Sequence, residues 1–91
     1  MRRYDWDADK EALNVARRGI SFEEAESVLD RSTSMTTFDL SHSDDEPRFL
    51  TIDWSNRGRL LVVVTSEGGL RPRIISARRA TKRERDDFAR R

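Results

Sequence analysis

Leu60-Leu61-Val62-Val63-Val64 is apolar at five successive positions, so an extended chain there buries side chains on both of its faces. Such a strand belongs in the middle of a sheet with cover above and below. In a chain of 91 residues that cover comes from both sides of a small fold or from a bound partner.

Three helices are signalled by their caps. Asp7 is placed to cap a helix running to about Arg18, with Ala8, Ala12, Leu13 and Ala16 as its apolar contacts and Gly19 as its stop. Ser21-Phe22-Glu23-Glu24 has the spacing of a capping box, which predicts a second helix to about Asp30. Thr81-Lys82-Arg83-Glu84 repeats that spacing and opens a terminal helix to about Arg90, with Phe88 as its inward anchor. Trp6, just before the first cap, is expected to act as a hydrophobic staple with a core role.

Between these helices the pattern turns to strands. Ser32 to Phe38 is rich in Thr and poor in helix formers, and a polar loop follows through Pro47. Arg48 to Trp54 alternates, with Leu50, Ile52 and Trp54 on one face and Phe49, Thr51 and Asp53 on the other. That parity predicts a core position for Trp54. A turn at Ser55-Asn56-Arg57-Gly58 leads into the Leu60 strand, and Glu67-Gly68-Gly69 closes a hairpin into Arg71 to Ala77. The expected fold is α+β: two N-terminal helices, an antiparallel meander of three to four strands and a C-terminal helix, forming a single domain over 1–91.

Net charge is only +1, but the charges are unevenly spread. From Arg57 to Arg91 ten Arg and Lys82 stand against Glu67, Glu84, Asp86 and Asp87, and the first 56 residues are acidic overall. A fold that keeps the two ends apart would draw an anion to the C-terminal half. The absence of Cys excludes disulfide scaffolds, thiolate nucleophiles and Cys-ligated zinc. No apolar stretch approaches the roughly 18 residues of a membrane span, and Met1 to Lys10 lacks the apolar centre of a signal peptide, so a cytoplasmic address without membrane contact is expected.

Several segments carry a resemblance: Tyr4-Asp5-Trp6-Asp7 with Lys10 and Asn14, Gly19-Ile20-Ser21-Phe22-Glu23-Glu24-Ala25, Arg48-Phe49, Gly58-Arg59-Leu60, and Arg73-Ile74-Ile75-Ser76-Ala77-Arg78-Arg79-Ala80. In order and spacing they resemble the BrnT toxins, with the stretch from Arg73 through Glu84 the most specific part. The resemblance implies a RelE-like sheet and an endoribonuclease toxin of a type II toxin–antitoxin system that cleaves RNA and arrests growth. It also implies neutralisation by a cognate BrnA-like ribbon-helix-helix antitoxin, so that DNA is met only through that partner. Tyr4 departs mildly from a frequent Phe. Arg18 stands where a His often precedes the glycine, which removes a titratable group there.

RNA is cut without a metal when its own 2′-OH attacks the neighbouring phosphate, a reaction that needs a base, an acid and cations for the developing charge. Arginine meets the last need with a planar fork that stays protonated. Arg59, Arg73, Arg78 and Arg79 are the candidates for catalysis, and Arg48, Lys82 and Arg83 for RNA binding. Each has solvated surface charge as its ordinary alternative. In a regular strand Arg73 and Arg79 share parity while Arg78 faces the other way, so the four line one groove only if the strand ends before Arg78. His42 is the side chain whose unperturbed pKa, near 6.5, suits proton transfer, although a lone His in a polar loop is commonly idle. Glu84 has a capping task that competes with one as a base. The adjacent Asp44, Asp45 and Glu46 lack ligands from a second element, so no metal and no cofactor is expected. Phe49 and Trp54 would stack on bases if they were exposed. A different class remains open: a non-enzymatic nucleic-acid-binding or corepressor module, which shares the basic surface and differs by the absence of turnover.

Overall fold

A computed structural model describes residues 3–39 and 46–91. In chain order its elements are β1 (Asp5–Trp6), α1 (Ala8–Arg18), α2 (Phe22–Leu29), β2 (Met35–Phe38), β3 (Arg48–Trp54), β4 (Leu60–Ser66), β5 (Arg73–Arg79) and α3 (Lys82–Ala89). The strands form one sheet in the order β1-β5-β4-β3-β2, so the doubly apolar β4 is its centre. Leu61 and Val63 point to one side, where they join Ile74 and Ala77 of β5 and Ile20, Phe22, Ala25 and Val28 around α2 in the buried core. Leu60 and Val62 point to the other side, where α3 lies and Phe88 is buried. Among the described residues no helix is long and apolar enough to cross a membrane.

The helix ends follow the capping chemistry. The Asp7 carboxylate accepts from the Asp9 and Lys10 N–H groups, and Gly19 closes α1 at φ 68°, a left-handed conformation that Gly adopts without a Cβ clash. Ser21 caps α2, and Thr81 with Glu84 completes a full capping box on α3.

Four expectations change. The sheet has five strands and is mixed, because the two-residue β1, too short to show alternation, pairs parallel to β5 through Asp5–Arg73 and Trp6–Ile74. Trp6 does pack against the core, edge-on to Phe22, through this strand rather than as a staple on α1. Strand β2 starts at Met35 rather than Ser32, since Ser32 and Thr33 form a turn in which the Thr33 hydroxyl donates to Asp53. Trp54 is not in the core: it faces the α3 side with Leu50 and Ile52 but is 39% exposed, with the Arg85 guanidinium of α3 6.0 Å from its ring. The opposite face of β3 is the deeply buried one, and its buried residues are the polar Thr51 and Asp53.

Helix α1 also differs from its apolar pattern. Ala8, Ala12, Leu13 and Ala16 are exposed, and the buried residue of the helix is Asn14. Its amide donates to the carbonyls of Ile20 and Ala77 and accepts from the Ala77 N–H, thereby satisfying backbone groups of β5 that β1 is too short to reach. Asn14→Ala leaves these groups unpaired and is expected to lower stability by about 3 kcal/mol in urea denaturation.

Candidate nucleic-acid interface

Strand β5 decides which arginines share a surface. Val64 pairs with Ser76 but Thr65 pairs with Ile74, so Ile75 is an extra residue, a β-bulge. The bulge reverses the alternation beyond it. Arg73, Ser76 and Arg78 consequently lie on the α3 side with Ser66, Val64 and Val62, whereas Arg79 goes to the other side, opposite Leu61. A regular strand predicts the reverse pairing of Arg73 with Arg79.

The register across the sheet extends this surface. Arg73 pairs with Ser66 and Ser66 with Arg48, so Arg48 and Arg73 flank Ser66 at one end, about 10 Å apart across two strand spacings. Arg78 stands about 13 Å further along the sheet, opposite Val62, with Ser76 between it and Arg73. Next to Ser66 a small polar cleft is lined by Asp5, Glu46, Arg71 and Arg73 with Gly68 and Gly69. Ser66 itself is 1% exposed.

The cations divide by what they touch. Arg78 makes a two-pronged bond to Glu84, at 2.7 and 2.9 Å, and Glu84 also accepts from the Thr81 N–H. The Arg78 bond outweighs partial burial and holds the Glu84 carboxyl down at about 2, which leaves it ionised and a weak base. Arg59 lies elsewhere. It grips the buried Glu24 carboxylate through Nε and Nη2, donates to the Gly19 carbonyl, and shares Glu24 with the Ser55 hydroxyl. Those bonds, chiefly from Arg59, lower the Glu24 pKa against the opposing effect of burial. Arg59 adjoins the Leu60 end of β4 and Arg73 faces its Ser66 end, about 20 Å away, so the two do not meet at one phosphate.

Arg48, Arg73, Arg79 and Arg83 have no partner among the described residues. Lys82 is paired with Asp86 at 3.2 Å on an exposed turn of α3. His42 lies outside the described residues, as do Asp44 and Asp45. Phe49 packs edge-on against Phe38, with centroids 5.4 Å apart. Ser66 and Ser76 were not legible as site residues, since only the strand register places them between arginines. Glu46 reads as one of three loop acids until the β4–β5 hairpin is seen to fold against it.

Beside this polar end, Met35, Thr37, Leu50, Ile52 and Val62 form an open apolar groove closed on one side by Glu84, Asp87 and Phe88 of α3. The surface as a whole combines cations with no partner among the described residues, the Glu84-bonded Arg78 and the half-buried Ser76 hydroxyl. That set suits a polyanion better than a compact neutral ligand.

Comparison with known proteins agrees with this chemistry. The family model described as the ribonuclease toxin BrnT of type II toxin–antitoxin systems matches residues 6–84. The crystal structure of the Brucella abortus ribonuclease toxin BrnT is similar in fold, with a TM-score of 0.62 and 23% identity, covering 87% of this chain and 96% of that one. No curated protein matches the chain.

Two outcomes are expected from the geometry. Arg59→Ala strands the Glu24 carboxylate in a buried setting and destabilises by about 3–5 kcal/mol, whereas Arg73→Ala changes unfolding free energy by less than about 0.5 kcal/mol; chemical denaturation of both variants checks this. For Glu84 the folded pKa is lowered, so its contribution to stability is complete above the usual value of 4.5 and is lost as pH falls toward about 2. Glu84→Gln is therefore less stable than wild type near neutral pH and converges on it at the acid end, which Trp54 emission in a Trp6→Phe background reports.

Proposed function

We propose that this chain, which belongs to the BrnT family of ribonuclease toxins of type II toxin–antitoxin systems, cleaves RNA on the α3-bearing face of its sheet without a metal ion. The observation that carries the proposal is the bulge at Ile75, which turns Arg73 onto the same surface as Arg48, Ser66, Ser76 and Arg78.

In this mechanism the 2′-OH attacks the adjacent phosphate, the P–O5′ bond breaks, and a 2′,3′-cyclic phosphate and a 5′-OH form. Arg73, with no partner among the described residues, takes the phosphate oxygens and stabilises the charge that develops on them. Arg48 holds the same strand of RNA from the neighbouring strand position, on the far side of the buried Ser66. Arg78 is oriented by Glu84 and presents its remaining donors to a second phosphate. Glu46, which lines the cleft with Ser66 and Arg73, is the carboxylate placed to take the 2′-OH proton, and His42 is the candidate to protonate the leaving oxygen. Arg79, Lys82 and Arg83 sit around the β5–α3 junction as flanking phosphate contacts, and Arg59 acts by positioning α2 against the turn before β4.

A family of type II systems implies an antitoxin as partner and RNA as substrate. We propose a BrnA-like ribbon-helix-helix protein as that antitoxin and a RelE-like relation for the fold. The open apolar groove beside α3 supports a protein partner on this side of the molecule, since groups such as Met35 at 40% and Trp54 at 39% exposure gain from being covered.

Purified protein is expected to cleave RNA in EDTA and to leave cyclic phosphate ends. Arg73→Ala lowers kcat by about 10²–10³ with unfolding unchanged, and Glu46→Gln lowers it by a comparable factor. RNA binding without any turnover would favour the non-enzymatic binding module instead.

A further inference from the structure

Away from the α3 face, a cleft runs between α1 and the outer edge of β5, lined by Lys10, Leu13, Asn14, Arg17, Arg18, Ile75 and Ser76. Lys10, Asn14, Arg17 and Arg18 recur at the i, i+4, i+7 and i+8 spacing of one helix face. None of the three cations has an ion-pair partner among the described residues, and no acid lines the cleft. Glu11 of the same helix is turned elsewhere, accepting from the Phe22 N–H at the start of α2.

Helix stability accounts for only part of this placement. Arg17 and Arg18 in the last turn complement the helix dipole, but Lys10 stands in the first turn, where a cation is disfavoured. The cleft exists because β1 pairs with only Arg73 and Ile74, leaving the rest of the β5 edge open apart from the Asn14 bonds to Ala77. Ser76 belongs to both surfaces. It pairs with Val64 in the row between Arg73 and Arg78, and it forms part of the cleft wall. An RNA strand leaving the Arg73 position therefore has a continuous path over the β5 edge to α1.

We propose that this cleft is a second binding site, taking the phosphodiester backbone of single-stranded RNA flanking the scissile position, with Lys10, Arg17 and Arg18 as the phosphate contacts. The proposal rests on the assignment of the Arg73 face to RNA cleavage. Lys10 and Arg17 are separated by seven residues, about 10 Å along the helix axis, so they reach different phosphates rather than sharing one. Leu13, 48% exposed between them, offers a base an apolar surface while the cations follow the backbone.

The test measures binding of a long, unstructured, fluorescein-labelled oligoribonucleotide as a function of salt, and steady-state cleavage of that RNA and of a dinucleotide. Substituting Lys10, Arg17 and Arg18 together with Ala, a good helix former, retains α1. Affinity for the long RNA is expected to fall about tenfold or more, and the slope of log K against log salt to lose about 0.7 for each contact removed. KM rises far more for the long substrate than for the dinucleotide. Lys10→Ala alone removes one contact from the slope, and exchanging Lys for Arg and Arg for Lys at the three positions restores affinity. An unchanged affinity and salt slope overturn the proposal, as does an equal loss for both substrates, which would place the cations in the chemistry. A loss confined to antitoxin capture overturns it too and makes the cleft a protein contact. If wild-type protein binds the long RNA with the expected salt slope yet turns over none, the cleavage assignment fails while the binding site stands.

Discussion

A strand that is apolar on both faces must be covered twice, and the described residues of this chain form three short helices with which to do it. Strand β4 receives unequal cover. On one side Leu61 and Val63 are sealed beneath Ile20 and the residues of α2, and both are fully buried. On the other side α3 crosses with Phe88 as its buried anchor, and it reaches Val62 but leaves Met35 and Trp54 partly open. The face proposed for RNA is the one with the thinner cover.

The charged residues follow the same division. Where cover is thick, charges are paired and fully bonded: Glu24 with Arg59 and Ser55, and Asp53 with Arg31, Thr33 and the Trp54 N–H. Pairs of this kind return little net stability against the cost of desolvation, but breaking one leaves a buried charge, so they determine which loops meet. Glu24 thereby ties α2 to the β3–β4 turn, and Asp53 ties the α2–β2 connection to β3. Where cover is thin, Arg73 and Arg48 have no partner among the described residues. Arg78 is intermediate, since its bond to Glu84 docks α3 and aims its guanidinium at the same time.

Local chemistry made much of the architecture legible. The caps at Asp7, Ser21 and Thr81, the stop at Gly19 and the two-sided run in β4 each act within a few residues, and the elements they predict are present. Inward-facing identities were less legible. Helix α1 turns Asn14 rather than its alanines toward the sheet, because the open edge of β5 offers backbone groups that need an amide. Trp54 shares parity with Leu50 and Ile52, yet parity states which side a residue faces and not whether anything covers that side.

For the site itself, the distribution of charge along the sequence determined that the C-terminal half would be basic and that arginine would be its chief cation. The ordered motifs from Tyr4 to Glu84 carried the family. Which arginines act together was decided only by tertiary structure. A bulge depends on pairing with a neighbouring strand, and one extra residue at Ile75 moves every side chain beyond it to the opposite face. Strand order and register then set Ser66 between Arg48 and Arg73, bring Ser76 to the α1 cleft, and place Arg59 at the far end of β4. Those separations are cross-strand relations between residues distant in sequence, and no local pattern encodes them.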